Sequence, residues 1–337
     1  STPKAYPSRP RLAGAFFLGR APGSGVERPW MRTFLLVLLL ALPAAARPAV
    51  WDGLLDHAPA SAAQADALSA RLNQSYLAEV QRLGGPGWWL ELVGRQCRKN
   101  LKAAGVSESP PLSQAGQDFI ADYATEQQRL AKLQGRYPSE IRWTAEETAG
   151  WDMPDRTFQL TFDDGPKAGI SQPILASLRQ NKLPATFFVL GKRLAEAGKK
   201  RPDYSGFVVA SHSYDHANLL DLDAAALAAE FSDTEKQAER SGLKLAPLFR
   251  APYGSRAERE LKVMKKLGLR STLWNVDSQD WQADMQARPG RIASRTLALM
   301  LLHRHGIVLM HDVQPQTPSE LARLLPVLPR LGFRISN

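Results

Sequence analysis

The chain has 337 residues, with 43 lysines and arginines against 33 aspartates and glutamates, so its formal net charge is +10. Half of that charge lies in residues 1–46, which hold six basic residues and one acidic residue. A dedicated nucleic-acid binder needs a clustered basic face, and no such cluster occurs, so nucleic acid is not an expected partner. The single cysteine, Cys97, excludes an intrachain disulfide. It falls in a predicted helix, where a buried structural thiol is expected.

The N-terminal segment has the features of a secretory signal peptide over residues 31–46. A short basic start at Met31 is followed by an apolar stretch and then by small residues at Ala44 and Ala46. The apolar stretch is shorter than the roughly 20 residues that span a bilayer, so no stable membrane span is expected after cleavage. An uncleaved anchor is the alternative. Since a signal peptide works at the N-terminus, residues 1–30 are expected to be a non-native extension, and the mature protein to be periplasmic or secreted.

Residues 51–150 form a predicted helical module. Apolar residues recur at helical spacing over 61–82, 88–104 and 114–133, and glycine- and proline-rich stretches separate these runs. Trp88 and Trp89 are expected to pack in the core. The module contains no recognisable chemistry.

From residue 151 onward, strand-like runs alternate with helical runs, which predicts a parallel sheet. The predicted strands are 158–162, 185–190, 207–210, 247–249, 271–276, 307–310 and 333–336. Seven such units suit a closed α/β barrel of the TIM type or a doubly wound sheet. Because the carboxyl ends of barrel strands share one face, the polar residues that follow these strands are expected to meet in one pocket: Asp163, His212, Arg250, Asp277 and His311.

Two of these clusters predict a metal site. His212 and His216 are four residues apart, and Asp163 and Asp164 are adjacent. Two imidazoles and one carboxylate make a three-ligand site with a position open for water, while the second carboxylate stays free to act as a base. The alternative readings are a solvated helix for the histidines and an Asp-Gly turn with an N-cap for the aspartates. Nitrogen and oxygen ligands favour Zn²⁺, with Co²⁺, Ni²⁺ or Mn²⁺ as substitutes.

Five segments, in this order, resemble the motifs of the polysaccharide deacetylase family, the carbohydrate esterases of family 4 with NodB homology: 161–166, 212–216, 250–253, 277–281 and 309–311. The resemblance covers about residues 155–337 and implies a distorted TIM-like (β/α)7 barrel as the catalytic domain, residues 151–337. It leaves the helical module unmatched. Departures occur at Ala210-Ser211, where Gly-Asn is usual, and at Ala251, where proline is common, and they remove no functional group.

The resemblance also implies a role for each motif residue. Three residues would hold the metal: Asp164, His212 and His216. Asp163 would be the general base toward the attacking water, and Arg250 would keep it ionised and oriented. His311 would be the general acid, with Asp280 supporting its charged form. The residues expected to contact substrate are Pro252, Tyr253, Trp281 and Leu309, with the backbone N–H of Tyr253 helping to hold the oxyanion. His303 and His305 lie outside the motifs at a helix end and are expected to be solvated.

By resemblance the reaction is removal of N-acetyl groups from an amino-sugar polymer, with peptidoglycan first and chitin or poly-N-acetylglucosamine next. O-acetyl esterase activity of the xylan type on the same site is one alternative. A non-catalytic glycan-binding protein is another, and it predicts loss of a metal ligand or an acid–base residue, whereas all are present. In a third hypothesis the helical module has the main role, docking a partner at the cell envelope.

Overall fold

The computed structural model describes Leu54 and residues 57–106, 110–133 and 143–337. The predicted signal peptide and the predicted extension, residues 31–46 and 1–30, lie outside these ranges. None of the described helices combines the length and the apolar character needed to cross a bilayer.

Three helices precede the sheet: α1 (Ala62–Leu83), α2 (Gly87–Ala104) and α3 (Gln114–Leu133). Their bounds lie within one residue of the prediction. The start of α1 is fixed by a reciprocal cap, since Ser61 Oγ accepts from the Gln64 N–H while Gln64 Oε1 accepts from the Ala60 N–H. Its end falls at Gly84, whose φ of 64° suits glycine. Cys97 is buried in α2 as predicted, and burial raises the pKa of its thiol to about 12.

The described residues contain eight parallel strands: β1 (Thr157–Asp163), β2 (Thr186–Val189), β3 (Val208–Ser211), β4 (Leu248–Phe249), β5 (Arg270–Ser271), β6 (Val276–Asp277), β7 (Gly306–His311) and β8 (Arg334–Ile335). Their spatial order is β5-β4-β3-β2-β1-β7-β6, and β8 pairs with β1. The helices between them are α4 (Ser171–Gln180), α5 (Gly191–Ala197), α6 (Ala224–Arg240), α7 (Glu258–Lys266), α8 (Ala283–Gln286), α9 (Arg291–His303) and α10 (Thr317–Leu324).

The sheet is a curled, open half-barrel, which confirms the predicted α/β barrel-like class with a preceding helical module. At its centre, six of the seven residues of β1 are buried, from both faces of the strand, as expected for a parallel strand covered on both sides. The predicted strand 271–276 is wrong, because it is divided between β5 and β6. The backbone oxygens of Thr272 and Leu273 accept hydrogen bonds from the Arg250 guanidinium, so they are not available to continue a strand.

The helical module packs directly against α9. The side-chain amides of Asn73 and Asn100 both donate to the backbone oxygen of Leu302, each at 2.9 Å. At the amino ends of the strands, Asp66 of α1 pairs with Arg304, Oδ1 to Nη1 2.7 Å, and with Arg156. The module, the sheet and α10 together bury every residue of α9.

His303 and His305 are buried, so the prediction that they are solvated is wrong. His303 Nε2 lies 2.9 Å from the hydroxyl oxygen of Tyr123, and His305 Nε2 lies 3.0 Å from the backbone oxygen of Trp151. Burial lowers the pKa of His303 to about 3. The helical module covers both residues, and nothing in the local pattern at the helix end indicated that cover.

Candidate active site

The site begins where β1 ends. Asp163 is the last residue of the strand, and Asp164 follows it with a positive φ of 74°. The change of backbone conformation turns the two carboxylates in different directions. Positive φ also occurs at Ser213, His216, Tyr253 and Gln279, all in loops at the same edge of the sheet. Such conformations persist where the surrounding structure holds them, and they cluster at functional sites.

Asp164, His212 and His216 form a possible metal site. Their ligand atoms lie within 4.8 Å of one another. The Nε2 atoms of His212 and His216 are each 3.4 Å from Asp164 Oδ1. His212 follows β3, and His216 is brought back to it by the loop that begins there.

The chemistry of these donors suits a divalent ion. His212 Nδ1 donates to the backbone oxygen of Arg250 at 2.8 Å, so the lone pair of a neutral ring is on Nε2, facing Asp164. Burial and the neighbouring His212 lower the pKa of His216 to about 4, which keeps that ring neutral as a ligand requires. Burial opposes ionisation of Asp164, but the close approach of His212 and the nearby imidazoles of His311 and His216 outweigh it and lower its pKa. Asp164 Oδ1 is buried and has no hydrogen-bond partner within the described residues.

Asp163 is held by a buried arginine. Arg250 has no exposed surface, and its Nη1 donates to Asp163 Oδ1 at 2.7 Å and to Thr161 Oγ1 at 2.8 Å. The guanidinium also lies over the ring of Phe188, 4.2 Å from its centroid. Asp163 Oδ2 faces the other way and is 3.7 Å from His212 Nε2. One carboxylate oxygen is therefore fixed, and the other is directed at the cluster of ligand atoms.

His311 lies beside Asp163, since it is the last residue of β7 and pairs with Asp163 across the sheet. Its Nδ1 is 2.7 Å from Asp280 Oδ1, and its backbone N–H donates to Asp280 Oδ2 at 2.7 Å. Burial alone would lower the pKa of His311. The charge of Asp280 and the hydrogen bond to it prevail and, with smaller contributions from Asp164 and Asp163, raise it to about 10. The ring is thus protonated at neutral pH.

Of the four predicted substrate contacts, Tyr253 touches a residue of this cluster. The Tyr253 ring packs edge-on against His216 with centroids 4.5 Å apart, and its side chain is 54% exposed. Trp281, next to Asp280, is 40% exposed. Pro252 is buried in the short turn Pro252–Gly254. Leu309 is buried on β7, two residues before His311 and therefore on the same face of the strand.

Two residues that support the site were not predicted from the sequence. Thr317 Oγ1 donates to Asp280 Oδ2 at 2.7 Å. Glu230 of α6 accepts from the backbone N–H of Tyr214 at 2.7 Å and of Asp215 at 3.3 Å, which anchors the loop between the two histidines. The only signal for Glu230 was a carboxylate on an otherwise apolar helix face. Thr317 gave no signal, because its partner is 37 residues away.

Gly165 provides a test of packing behind the site. A methyl group added here would overlap the carboxylate of Asp312, which is fully buried. We expect Gly165→Ala to lower the free energy of unfolding by about 1–3 kcal/mol, the usual effect of overpacking. Gly87→Ala is the matched control, since an added Cβ there has no neighbour within 4 Å. Chemical denaturation measures both, and equal stability of the two variants would contradict the close approach of Asp312.

Comparison with known proteins identifies relatives of this site. A family model described as polysaccharide deacetylase matches residues 151–272. The chitooligosaccharide deacetylase of Bradyrhizobium sp. (strain ANU 289) is 36% identical over 200 residues, which are 53% of this chain and 88% of the relative. The peptidoglycan-N-acetylglucosamine deacetylase PgdA of Listeria monocytogenes is 30% identical over 181 residues, which are 53% of this chain and 37% of that protein.

Two solved structures share the fold. The Bc1960 peptidoglycan N-acetylglucosamine deacetylase aligns with a TM-score of 0.52 and 24% identity, over 60% of this chain and 92% of that one. A mutant of BA3943, described as a CE4 family pseudoenzyme, aligns with a TM-score of 0.50 and 22% identity. The alignment covers 57% of this chain and 69% of that one. Because a pseudoenzyme shares it, the fold alone does not establish catalysis. The sequence match over most of a curated relative, together with the family model, shows that the chain belongs to the polysaccharide deacetylase family.

Proposed function

We propose that this chain is a metal-dependent deacetylase that removes N-acetyl groups from an amino-sugar polymer, with peptidoglycan or chitooligosaccharide as substrate. The observation that carries the proposal is the arrangement of Asp163 and His311 on neighbouring strands beside three suitable metal ligands. Amide hydrolysis needs an activated water, a stabilised oxyanion and a proton for a poor leaving group. The site contains candidates for each.

Asp163 is suited to be the general base. Arg250 occupies its Oδ1, so Oδ2 is the atom left to take the proton of the attacking water. A divalent ion held by Asp164, His212 and His216 would supply Lewis acidity and lower the pKa of a water molecule, with Zn²⁺ first and Co²⁺, Ni²⁺ or Mn²⁺ next. The backbone N–H of Tyr253 is the candidate donor to the developing oxyanion.

His311 is suited to be the general acid. It is charged at neutral pH, and Asp280 holds its Nδ1 side, so Nε2 carries the proton that passes to the departing nitrogen. Water adds to the acyl carbon, the C–N bond breaks, and acetate and the free amine leave. Trp281 and Leu309 are the candidate walls around the acetyl methyl group, and Pro252 and Tyr253 are candidate contacts for the sugar.

The substrate proposal combines two findings. Three relatives matched along most of their length are named chitooligosaccharide deacetylases. PgdA is named a peptidoglycan-N-acetylglucosamine deacetylase. The charge of +5 that remains beyond residue 46 would favour approach to an anionic cell-wall polymer. We also propose a periplasmic or secreted location, on the signal-like pattern of residues 31–46.

Mass-spectrometric detection of acetyl loss tests this function. Muropeptides, N-acetylglucosamine oligomers and acetylated xylan should be incubated with the purified protein, with and without added Zn²⁺. We expect loss of about 42 Da per N-acetyl group from one of the first two, by the mass of the group removed, and no reaction after chelation. Release from xylan alone would favour the esterase, and no release from any substrate would contradict catalysis.

The pH dependence tests the acid. Because His311 acts in its protonated form, activity should fall as the pH rises through its pKa. Asp280→Asn removes the charge that raises this pKa, so the alkaline limb of kcat/KM should move to lower pH by about 1–3 units, the usual effect of a neighbouring opposite charge. Thr317→Val is the control, since it removes only a neutral donor to Asp280 and should move the limb far less. An alkaline limb that stays in place in Asp280→Asn would mean that another group titrates.

A further inference from the structure

The helical module reaches the active-site edge of the sheet through one carboxylate. Glu126 of α3 accepts a hydrogen bond from Gln279 Nε2 at 3.0 Å. It also accepts from Arg295 Nη2, at 3.2 Å to Oε1 and 3.3 Å to Oε2. Gln279 belongs to the segment Asp277–Trp281, which runs from the last residue of β6 toward α8 and also carries Asp280. We call this segment the Asp280 loop.

The contacts of Glu126 secure the first half of the Asp280 loop. Arg295, on α9, donates through Nε to the backbone oxygen of Asp277 at 3.0 Å, so Glu126 holds the loop directly at Gln279 and indirectly at Asp277. The side chain of Arg295 is only 5% exposed. In such a shielded pair, removal of the carboxylate takes away a partner of a buried charge, which is destabilising.

The backbone of the loop needs this restraint. Gln279 has a φ of 54°, which is unfavourable for a residue with a side chain, and its N–H donates to Asp277 Oδ1 at 2.8 Å. The residue that follows is Asp280, which fixes His311. The second half of the loop is held differently, by Gln286 Nε2 on the Asp280 backbone oxygen at 2.7 Å and by Thr317 on its carboxylate. Glu126 is thus a contact between the module and the part of the loop that has the strained residue.

We propose that Glu126 is a positioning residue, and that the helical module serves catalysis by holding the Asp280 loop in the conformation that presents Asp280 to His311. The effect on turnover rests on the proposed function, whereas the effect on the loop does not. The module thereby becomes a structural part of the active site, which differs from a separate docking domain.

The test compares three variants of the full chain. Glu126→Ala removes the carboxylate. Gln279→Asn shortens the amide beyond the reach of Glu126 while keeping a residue that tolerates positive φ. Asp66→Ala is the matched control, since it breaks the ion pairs of the module with Arg304 and Arg156 at the opposite ends of the strands.

Two readouts are measured well below the unfolding temperature. Hydrogen exchange followed by mass spectrometry should show exchange of peptide 277–282 about tenfold faster in Glu126→Ala and Gln279→Asn. The kcat for acetate release should fall by about 10- to 100-fold, the effect of a small misplacement of a reacting group, while metal content and KM stay close to wild type. Asp66→Ala should lower the unfolding temperature and change neither readout.

Unchanged exchange of the loop in Glu126→Ala would overturn the proposal, and so would equal acceleration in Asp66→Ala. Faster exchange of the loop with an unchanged kcat would contradict the proposal that the module serves catalysis. If the wild-type protein releases no acetate from any glycan, the proposed function fails, and the exchange measurement still decides whether Glu126 holds the loop.

Discussion

Replacing His212 by alanine is expected to remove both the metal and the activity, whereas Asp163→Asn is expected to remove the activity and keep the metal. His212 Nε2 lies 3.4 Å from Asp164 Oδ1 and is a candidate metal ligand. The methyl side chain of alanine has no atom that can bind a metal. In Asp163→Asn the new amide oxygen would still accept from Arg250, so the guanidinium keeps a partner. The base is lost, however, and general base catalysis contributes about 10²- to 10⁴-fold.

Elemental analysis and acetate assays on the same preparations separate the two roles. Asp233→Asn, on the exposed face of α6, is a control that should leave both readouts unchanged. The melting temperature of each variant should be recorded, because Arg250 is buried and loss of its charged partner is destabilising. Retention of a full metal equivalent by His212→Ala, or loss of the metal from Asp163→Asn while the protein stays folded, would reverse the assignment.

The second large effect is expected in His311→Asn and depends on the leaving group. The new side-chain amide keeps an N–H near the place of Nδ1, so the contact with Asp280 can persist, but the proton donor at Nε2 is gone. Hydrolysis of an N-acetyl sugar should then slow by about 10²- to 10⁴-fold, because an amine leaves poorly without a proton. Hydrolysis of an aryl acetate should fall less than about tenfold, since a phenolate needs no protonation.

Steady-state rates on an N-acetylglucosamine oligomer and on 4-nitrophenyl acetate give this comparison. Metal content must match wild type, which excludes an indirect effect through the ligands. An equal loss of rate on both substrates would indicate that His311 stabilises the oxyanion or the folded structure. It would contradict the role of His311 as general acid.

Local patterns predicted most of the elements correctly, because their causes are local. The helix α3 follows from apolar spacing, and β1 from a short apolar run that ends in two aspartates. The site residues were placed at strand ends, and the parallel register of β1 and β7 brings Asp163 and His311 side by side. A residue at the carboxyl end of a parallel strand has a predictable neighbourhood, which is why distant motifs could be expected to meet.

The failures have non-local causes. The strand predicted over 271–276 is interrupted because the buried Arg250, which follows β4, donates to two of its carbonyl oxygens. His303 contacts Tyr123, 180 residues earlier in the chain, and His305 contacts Gln96, 209 residues earlier. Glu126 contacts a loop 153 residues away. None of these contacts leaves a trace in the local pattern of apolar and polar residues.

One divalent ion is expected between Asp164, His212 and His216, within reach of both Asp163 and His311. A crystal of the zinc-loaded, active protein, with anomalous diffraction recorded on both sides of the zinc absorption edge, tests it most directly. We predict a single anomalous peak about 2.0–2.2 Å from Asp164 and from both Nε2 atoms, the usual lengths of zinc bonds to oxygen and nitrogen. An active crystal with no anomalous peak between these three residues would contradict the proposed metal site.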